Sequence, residues 1–380
     1  MIDTRDQEGF ACASGGHLYI HIPLCRSRCR YCDFPSHTSL DQAAYVAALL
    51  READHLPDQA WSTLYIGGGS PSALDPVHLD HLLAGLGQRL RLSPAYEWTC
   101  EANPADIDEA MLHLLRTHGI NRLSLGVQSL DDGLLTLLGR RHNAARARTA
   151  ITLARAIMPR LNVDLMLALP GQEAASVAQD VDMLADQGID HLSAYALIIE
   201  DGTPLADDVA QGRVVIPDDE ASGQSLEAAW TAIERHWPAY ETSSFAHAHD
   251  RCRHNLACWR LHDYHALGAA AVSTVAGQRH SRPSDPSTYI AALAGSGPPQ
   301  WPVEIIDPAT RLREAWMLGL RLRRGVHREH LTSLGDNHQR IEQHLAPLVD
   351  SGLVMTDGPW IALAPPGRLL QDAITRALMP

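Results

Sequence analysis

The sequence predicts an α/β chain: a partial (β/α)6 barrel followed by a small α+β domain of winged-helix type. Two observations predict the barrel. Across residues 18–199, short β-branched or aliphatic runs alternate with longer amphipathic stretches, the pattern of a parallel sheet with right-handed crossovers. The glycine-rich and polar motifs fall just after the strands, at the end where a barrel of this hand carries its site. A third observation predicts the second unit: after Glu200-Asp-Gly-Thr-Pro-Leu205 the alternation stops.

Taken in order, strands are expected at 18–22, 63–66, 97–101, 122–126, 162–168 and 191–197. Helices are expected between them at 42–55, 76–90, 107–118, 144–157 and 177–187. A helix at 218–236 then leads into the extended run 240–246 and a segment rich in His, Cys and Trp at 251–275. Residues 295–302 carry Gly, Ser and Pro and read as a linker. Helices at 308–322 and 336–351 precede two short strands, 353–355 and 360–363, joined through Asp357-Gly358, and a closing helix. Without a basic recognition helix, this module reads as a packing or partner unit rather than a DNA reader. The divisions expected are 12–245, 246–302 and 303–380.

The chain has 380 residues, 45% of them hydrophobic, and a net charge of −14. That charge argues against a nucleic-acid partner, and no apolar run approaches the length of a membrane span, so a soluble cytoplasmic protein is expected. Basic residues gather at Arg26, Arg28 and Arg30, where they read as facing an anionic cofactor or substrate. A second group, Arg321, Arg323 and Arg324, reads as a solvated helix end. The cysteine count is seven, an odd number, and residues 1–16 lack the apolar core of a signal peptide, so a disulfide framework is not expected.

The chemistry is concentrated in Cys25-Arg-Ser-Arg-Cys29-Arg-Tyr-Cys32, directly after the first strand. A 4Fe-4S cluster takes four thiolates, so a C-x3-C-x2-C loop leaves one iron open to a ligand. The competing possibility is a structural zinc completed by His21 or Asp33, although the usual second C-x2-C or H-x3-H hook is missing. The loop spacing resembles the radical S-adenosylmethionine (SAM) superfamily, in which SAM chelates the open iron through its amino and carboxylate groups. Within that superfamily the chain is similar to the HemW family of heme chaperones, relatives of oxygen-independent coproporphyrinogen III oxidase. The resemblance makes 12–245 a radical SAM core, 246–302 a connecting segment with a modified HNxxY motif, and 303–380 a HemN-type C-terminal domain.

Several motifs carry the resemblance further. Gly67-Gly68-Gly69-Ser70-Pro71-Ser72 resembles the glycine motif whose backbone holds the methionyl amino end of SAM; glycines permit such close approach. Glu101-Ala-Asn103-Pro104 and Gly126-Val-Gln128-Ser129 end the third and fourth strands, where a carboxylate or amide can hold a hydroxyl or amino group. Leu138-Gly-Arg140-Arg141-His142 implies an arginine, Arg140, for the SAM carboxylate. Asp164 lies inside an apolar strand and needs a partner if it faces inward. Tyr19, Tyr31 and Ile198 match SAM-contacting positions and read equally as core residues. By the resemblance, Cys25, Cys29 and Cys32 ligate the cluster, a reductant charges it, and SAM accepts the electron to give methionine and a 5′-deoxyadenosyl radical.

The oxidases have a fourth cysteine two residues after the third and a longer N-terminal arm, whereas this chain has Phe34 there and a short arm. Both differences favour a heme chaperone that passes heme to an unidentified acceptor protein. The alternative is a catalytic radical SAM enzyme acting on a porphyrin or porphyrinogen. The family's His-Asn-x-x-Tyr reads His254-Asn255-Leu256-Ala257-Cys258 here, and Val272 stands where a histidine is common. His and Cys both ligate heme iron, which makes His254 and Cys258 the candidate heme residues; Cys258 reads equally as a small core residue.

Overall fold

A computed structural model describes residues 15–295 and 297–380. The expected domain start at 12–14 and Ser296 of the expected linker lie outside the described residues. Strands β1 (Gly16–Ile22), β2 (Ala60–Gly68), β3 (Arg91–Ala102), β4 (Arg122–Gln128), β5 (Leu161–Leu167) and β6 (His191–Ala196) follow one another in a parallel sheet, as the alternation predicts. Two short strands extend its edges. Strand β7 (Ser244–Ala246) pairs antiparallel with β6, and β8 (His265–Leu267) pairs parallel with β1. The order is β7-β6-β5-β4-β3-β2-β1-β8.

Helices α1 (Gln42–Ala53), α2 (Pro76–Arg89), α3 (Glu109–Thr117), α4 (Asp132–Leu137), α5 (Ala144–Ile157) and α6 (Ala174–Asp186) supply the crossovers. Asp41, Asp108, Asp131 and Asn143 cap four of them by accepting from first-turn amides. Alternation along each strand divides the residues. Leu18, Ile20 and Ile22 of β1, Leu64 and Ile66 of β2 and Leu123 and Leu125 of β4 are fully buried in the main hydrophobic core. Their in-between neighbours, including Tyr65, Glu101, Ser124 and Asp164, line a cavity inside the barrel.

After β6 come α7 (Pro204–Ala210), α8 (Asp219–Ile233), α9 (Arg253–Trp259) and α10 (Pro286–Ala292). A second sheet joins β9 (Val272–Val275), β10 (Gln278–Ser281) and β11 (Val303–Ile305), all antiparallel. Trp301, in the glycine- and proline-rich stretch, stacks on Tyr289 and donates Nε1–H to Glu52 at 3.0 Å. Glu52 is buried and fully occupied: Arg282, Tyr289 and the Gly268 amide also donate to it.

The C-terminal unit has its own core around Trp316, Leu331, Ile341 and Leu378. It comprises α11 (Pro308–Gly319), β12 (Val326–His327), α12 (Arg328–Ser333), α13 (His338–Asp350), β13 (Val354–Asp357), β14 (Trp360–Leu363) and α14 (Gln371–Leu378). The three strands form the order β12-β14-β13, the small α+β arrangement expected. The arginines after α11 differ from expectation. Rather than ending in solvent, Arg321 stacks on Trp259 at 4.4 Å and Arg324 on Trp360 at 4.2 Å, and the Arg323 amide donates to the Tyr240 carbonyl. Arg321 and the Arg323 amide thus join the C-terminal unit to the segment before and within α9, while Arg324 packs inside the unit. No described helix is long and apolar enough to cross a membrane.

The barrel floor is closed by the segment carrying His254. Glu97 and Arg122, both about 1% exposed, form a buried ion pair at 3.1 Å. Glu97 also accepts from the Arg253 and His254 amides at the start of α9, while Arg122 Nη2 donates to the carbonyls of Asp250 and Arg251. Removing one partner strands a buried charge, so Arg122→Leu is expected to cost about 3–5 kcal/mol, read as a lowered midpoint in urea unfolding. An unchanged midpoint would show that the pair does not hold the floor.

Candidate functional site

The loop after β1 is held on three sides. Its own ends pair, with the Cys25 amide donating to the His37 carbonyl at 2.9 Å and the His37 amide to the Pro23 carbonyl at 2.7 Å. On one flank the Arg30 amide donates to the Leu138 carbonyl at 3.0 Å, and on the other its carbonyl accepts from the Leu205 amide at 2.9 Å. The Arg30 guanidinium pairs with Asp208, which also takes Arg213. Gly139, at φ +68°, lies against Arg30, and a Cβ there would sit 2.7 Å from its side chain.

Cys25, Cys29 and Cys32 are half-buried and line one cavity of about 510 Å³. Burial pushes the Cys25 and Cys32 thiols up. Arg140 Nη1 donates to Cys29 Sγ at 3.2 Å, the contact that steadies a thiolate. A tetrahedral zinc needs a fourth protein donor, whereas a cubane takes each of three thiolates at a different corner and leaves one iron open. His21 is occupied, with Nδ1 bonded to the Tyr19 hydroxyl and Nε2 to the Pro35 carbonyl. The donor set therefore fits a cluster better than zinc. A fourth cavity thiol, Cys252, lies at the floor beside Glu97. Glu97 precedes Glu101 by four residues along β3, roughly 13 Å at strand rise.

The strand ends above the floor carry the expected motifs. A Cβ on Gly67 would lie 2.8 Å from the Glu101 carboxyl, one on Gly68 2.5 Å from the His21 ring, and one on Gly69 2.6 Å from the Leu24 carbonyl. Gly68 also has φ +110°, so no other residue suits this turn. Glu101 accepts from the Tyr65 hydroxyl at 2.7 Å and the Gly68 amide at 3.2 Å. Burial raises its pKa to about 7, assisted by Asp164 and opposed by those two donors. Ser70 bonds to Ser72, and Ser72 joins the Asn103 amide to Asp106, tying this turn to the end of β3. Gln128 lines the cavity from a bulge in β4 and has φ +71°, a strained value for a non-glycine residue. Arg140 reaches the Gly126 carbonyl with its other arm. Tyr31 and Ile198 also line the cavity, Ile198 at its open rim.

Asp164 has the partners its position demands. Ser124 and Asn162 both donate to it, and burial still raises its pKa. Because the Asn162 amide nitrogen is spent on Ser124 and Asp164, its oxygen accepts from His191 Nδ1 at 2.6 Å. Neutral His191 then accepts at Nε2 from the Tyr240 hydroxyl, 2.8 Å away, which in turn accepts from the Cys252 amide. Sequence reasoning missed Tyr65, Ser124, Asn162 and His191; the available signal was a polar residue at every second position of a buried strand. Arg140 Nε, Arg122 Nη1 and Thr99 Oγ1 are buried with no hydrogen-bond partner among the described residues, and all three side chains line the cavity, as a site built for a polar ligand requires.

Three expected residues do not line the cavity. Tyr19 is engaged with His21. His254 is 4% exposed, bonded through Nδ1 to Thr63 at 2.9 Å and packed on the Tyr65 ring, and burial lowers its pKa to about 3. The Cys258 thiol is pushed up to about 12 by burial.

Residues 19–184 match the radical SAM superfamily. The chain is 34% identical over 376 residues to the heme chaperone HemW of Mycobacterium tuberculosis, covering 95% of this chain and 94% of that one. It is 30% identical over 377 residues to HemW of Bacillus subtilis, covering 95% and 98%. Its fold is shared with coproporphyrinogen III oxidase from Escherichia coli at a TM-score of 0.81 and 22% identity, over 96% of this chain and 90% of that one.

Cys29→Ala is expected to prevent assembly of a 4Fe-4S cluster in anaerobic reconstitution, measured as bound iron and sulfide. A full complement of both in the variant would remove the cluster assignment.

Proposed function

The chain belongs to the HemW family of radical SAM proteins, and on that premise we propose that it is a cytoplasmic heme chaperone. In this reading it holds a 4Fe-4S cluster on Cys25, Cys29 and Cys32 and SAM at the strand ends, and passes heme to an acceptor protein. The observation that carries the reading is the junction of three thiols, the glycine turn and the Glu101, Gln128, Arg140 and Asp164 side chains in one cavity. A bound cluster, charged by an external reductant, supplies one electron to SAM.

The remaining work belongs to the chain. Gly68 and Gly69 expose backbone groups where only glycine fits, and Ser70 fixes their turn. Glu101, once ionised, offers a carboxylate to the SAM amino group, and Arg140 stands beside Cys29 to meet its carboxylate. Asp164, held by Ser124 and Asn162, presents an acceptor for a hydroxyl. The polar interior is backed by the apolar core on the outer face of the strands. Iron ligation by His254 would require the start of α9 to leave the floor, because its ring is bonded to Thr63 and packed on Tyr65 and its amide donates to Glu97.

Because Glu101 ionises near pH 7, SAM affinity is expected to fall as pH drops from 8 to 6, where the carboxylate takes up a proton. Glu101→Gln should bind weakly with a flat profile; a wild-type profile in that variant would remove Glu101 from the site. Reconstituted protein should bind hemin stoichiometrically and, given dithionite and SAM, leave coproporphyrinogen III unchanged. Decarboxylation of the porphyrinogen without saturable hemin binding would favour the catalytic alternative.

A further inference from the structure

His254 is the wrong place for heme to land in this fold. Its ring is walled in by Thr63, Tyr65 and His17, and its amide is committed to Glu97. The rim of the barrel is different. Phe34 and Ile198 line the same opening, the first in the loop after β1 and the second after β6. These are the first and last of the six parallel strands, and the segments that follow them meet where the Leu205 amide donates to the Arg30 carbonyl at 2.9 Å.

Both are unusually exposed for apolar residues beside a cavity, Phe34 at 61% and Ile198 at 68%. The other described phenylalanine, Phe245, is fully buried. The charge beside Phe34 is also uneven. Arg26 and Arg141 share a single carboxylate, Asp106, at 3.3 Å and 3.0 Å. Arg28 is exposed and donates from Nε to the Cys32 carbonyl at 3.2 Å. Asp33, next to Phe34, and Glu200, two residues past Ile198, line the opening as well, so the positive surplus is local: three guanidiniums, Arg26, Arg28 and Arg141, around the one carboxylate of Asp106 and the Cys32 carbonyl. An exposed aromatic and an exposed aliphatic on one opening, with three guanidiniums in the same lining, match a flat apolar macrocycle that carries carboxylates on one edge.

Resting on the heme-chaperone reading, we propose that heme is received at this rim. The macrocycle spans the opening on Phe34 and Ile198 with its propionates toward Arg26, Arg28 and Arg141, and His254 is a floor residue rather than an iron ligand. Phe34 thus does more than mark the missing fourth cysteine; it supplies the apolar platform. Heme in this position covers the cavity, so SAM has to enter first.

The test is hemin titration of the anaerobically reconstituted protein, followed at the Soret band, with iron and sulfide content confirming that each variant keeps its cluster. Phe34→Asp and Arg28→Glu are expected to weaken binding about tenfold or more. Ile305→Asp, an exposed apolar position on β11 away from the cavity, should leave it unchanged, and His254→Gln should retain wild-type affinity. Wild-type affinity in both rim variants, or equal loss in Ile305→Asp, would overturn the rim assignment. Loss confined to His254→Gln would return the ligand to the floor. Absence of saturable binding in the wild-type protein would instead sink the chaperone reading on which the proposal rests.

Discussion

A carboxylate buried inside a barrel has to find donors, and Glu97 is the one on which this architecture turns. Its four contacts come from β4 and from the segment before and within α9: the Arg122 guanidinium, two backbone amides and the Cys252 thiol. The Coulombic gain in such a pair scarcely repays desolvation, so what it contributes is geometry. Arg122 accordingly spends its remaining reach on two carbonyls of the incoming chain. Through this pair a strand interior that would otherwise be a polar hole acquires a floor, and a segment from the far side of α8 is drawn beneath the cavity.

At the other end of the strands the constraint is steric. Three successive glycines pass so close to Glu101, His21 and the Leu24 carbonyl that a methyl group would clash at each. Gln128 and Ala168 accept positive φ at the ends of β4 and β5. Strain of this kind persists only where the surroundings over-determine it, and the loop carrying the cysteines is pinned on both flanks. The rim is preorganised, while its two exposed apolar side chains remain uncovered.

The six barrel strands were legible because each contains a short β-branched or aliphatic run set between helical stretches, and the parallel order follows from the helices between them. Strands β8 to β11 were not legible, since three or four residues carry no usable period. The cysteine loop and glycine turn could be placed together from spacing and resemblance. The partners of Asp164 could not, because Ser124 and His191 reach Asp164 and Asn162 only through strand register. Arg321 and Arg324 read as solvated because a charge run gives no sign of Trp259 or Trp360. The position of His254 was hidden for a related reason: the acid that caps its helix lies 157 residues earlier, in β3.

The hydrogen bonds from Asp164 to Tyr240 have a fixed direction, and this joins cavity, floor and C-terminal unit in one framework. Turning the Asn162 amide would set its oxygen against the Asp164 carboxylate, so the observed orientation fixes the proton on His191 Nδ1 and leaves Nε2 to accept from Tyr240. Burial and the nearby Arg122 charge keep His191 neutral, which preserves that direction. The Tyr240 hydroxyl then receives the Cys252 amide, while its carbonyl receives the Arg323 amide from the C-terminal unit. Arg321 completes the circuit by stacking on Trp259 at the end of α9. The C-terminal unit therefore braces the same floor helix that Glu97 caps. A ligand acting on Asp164 meets a network already committed to one arrangement.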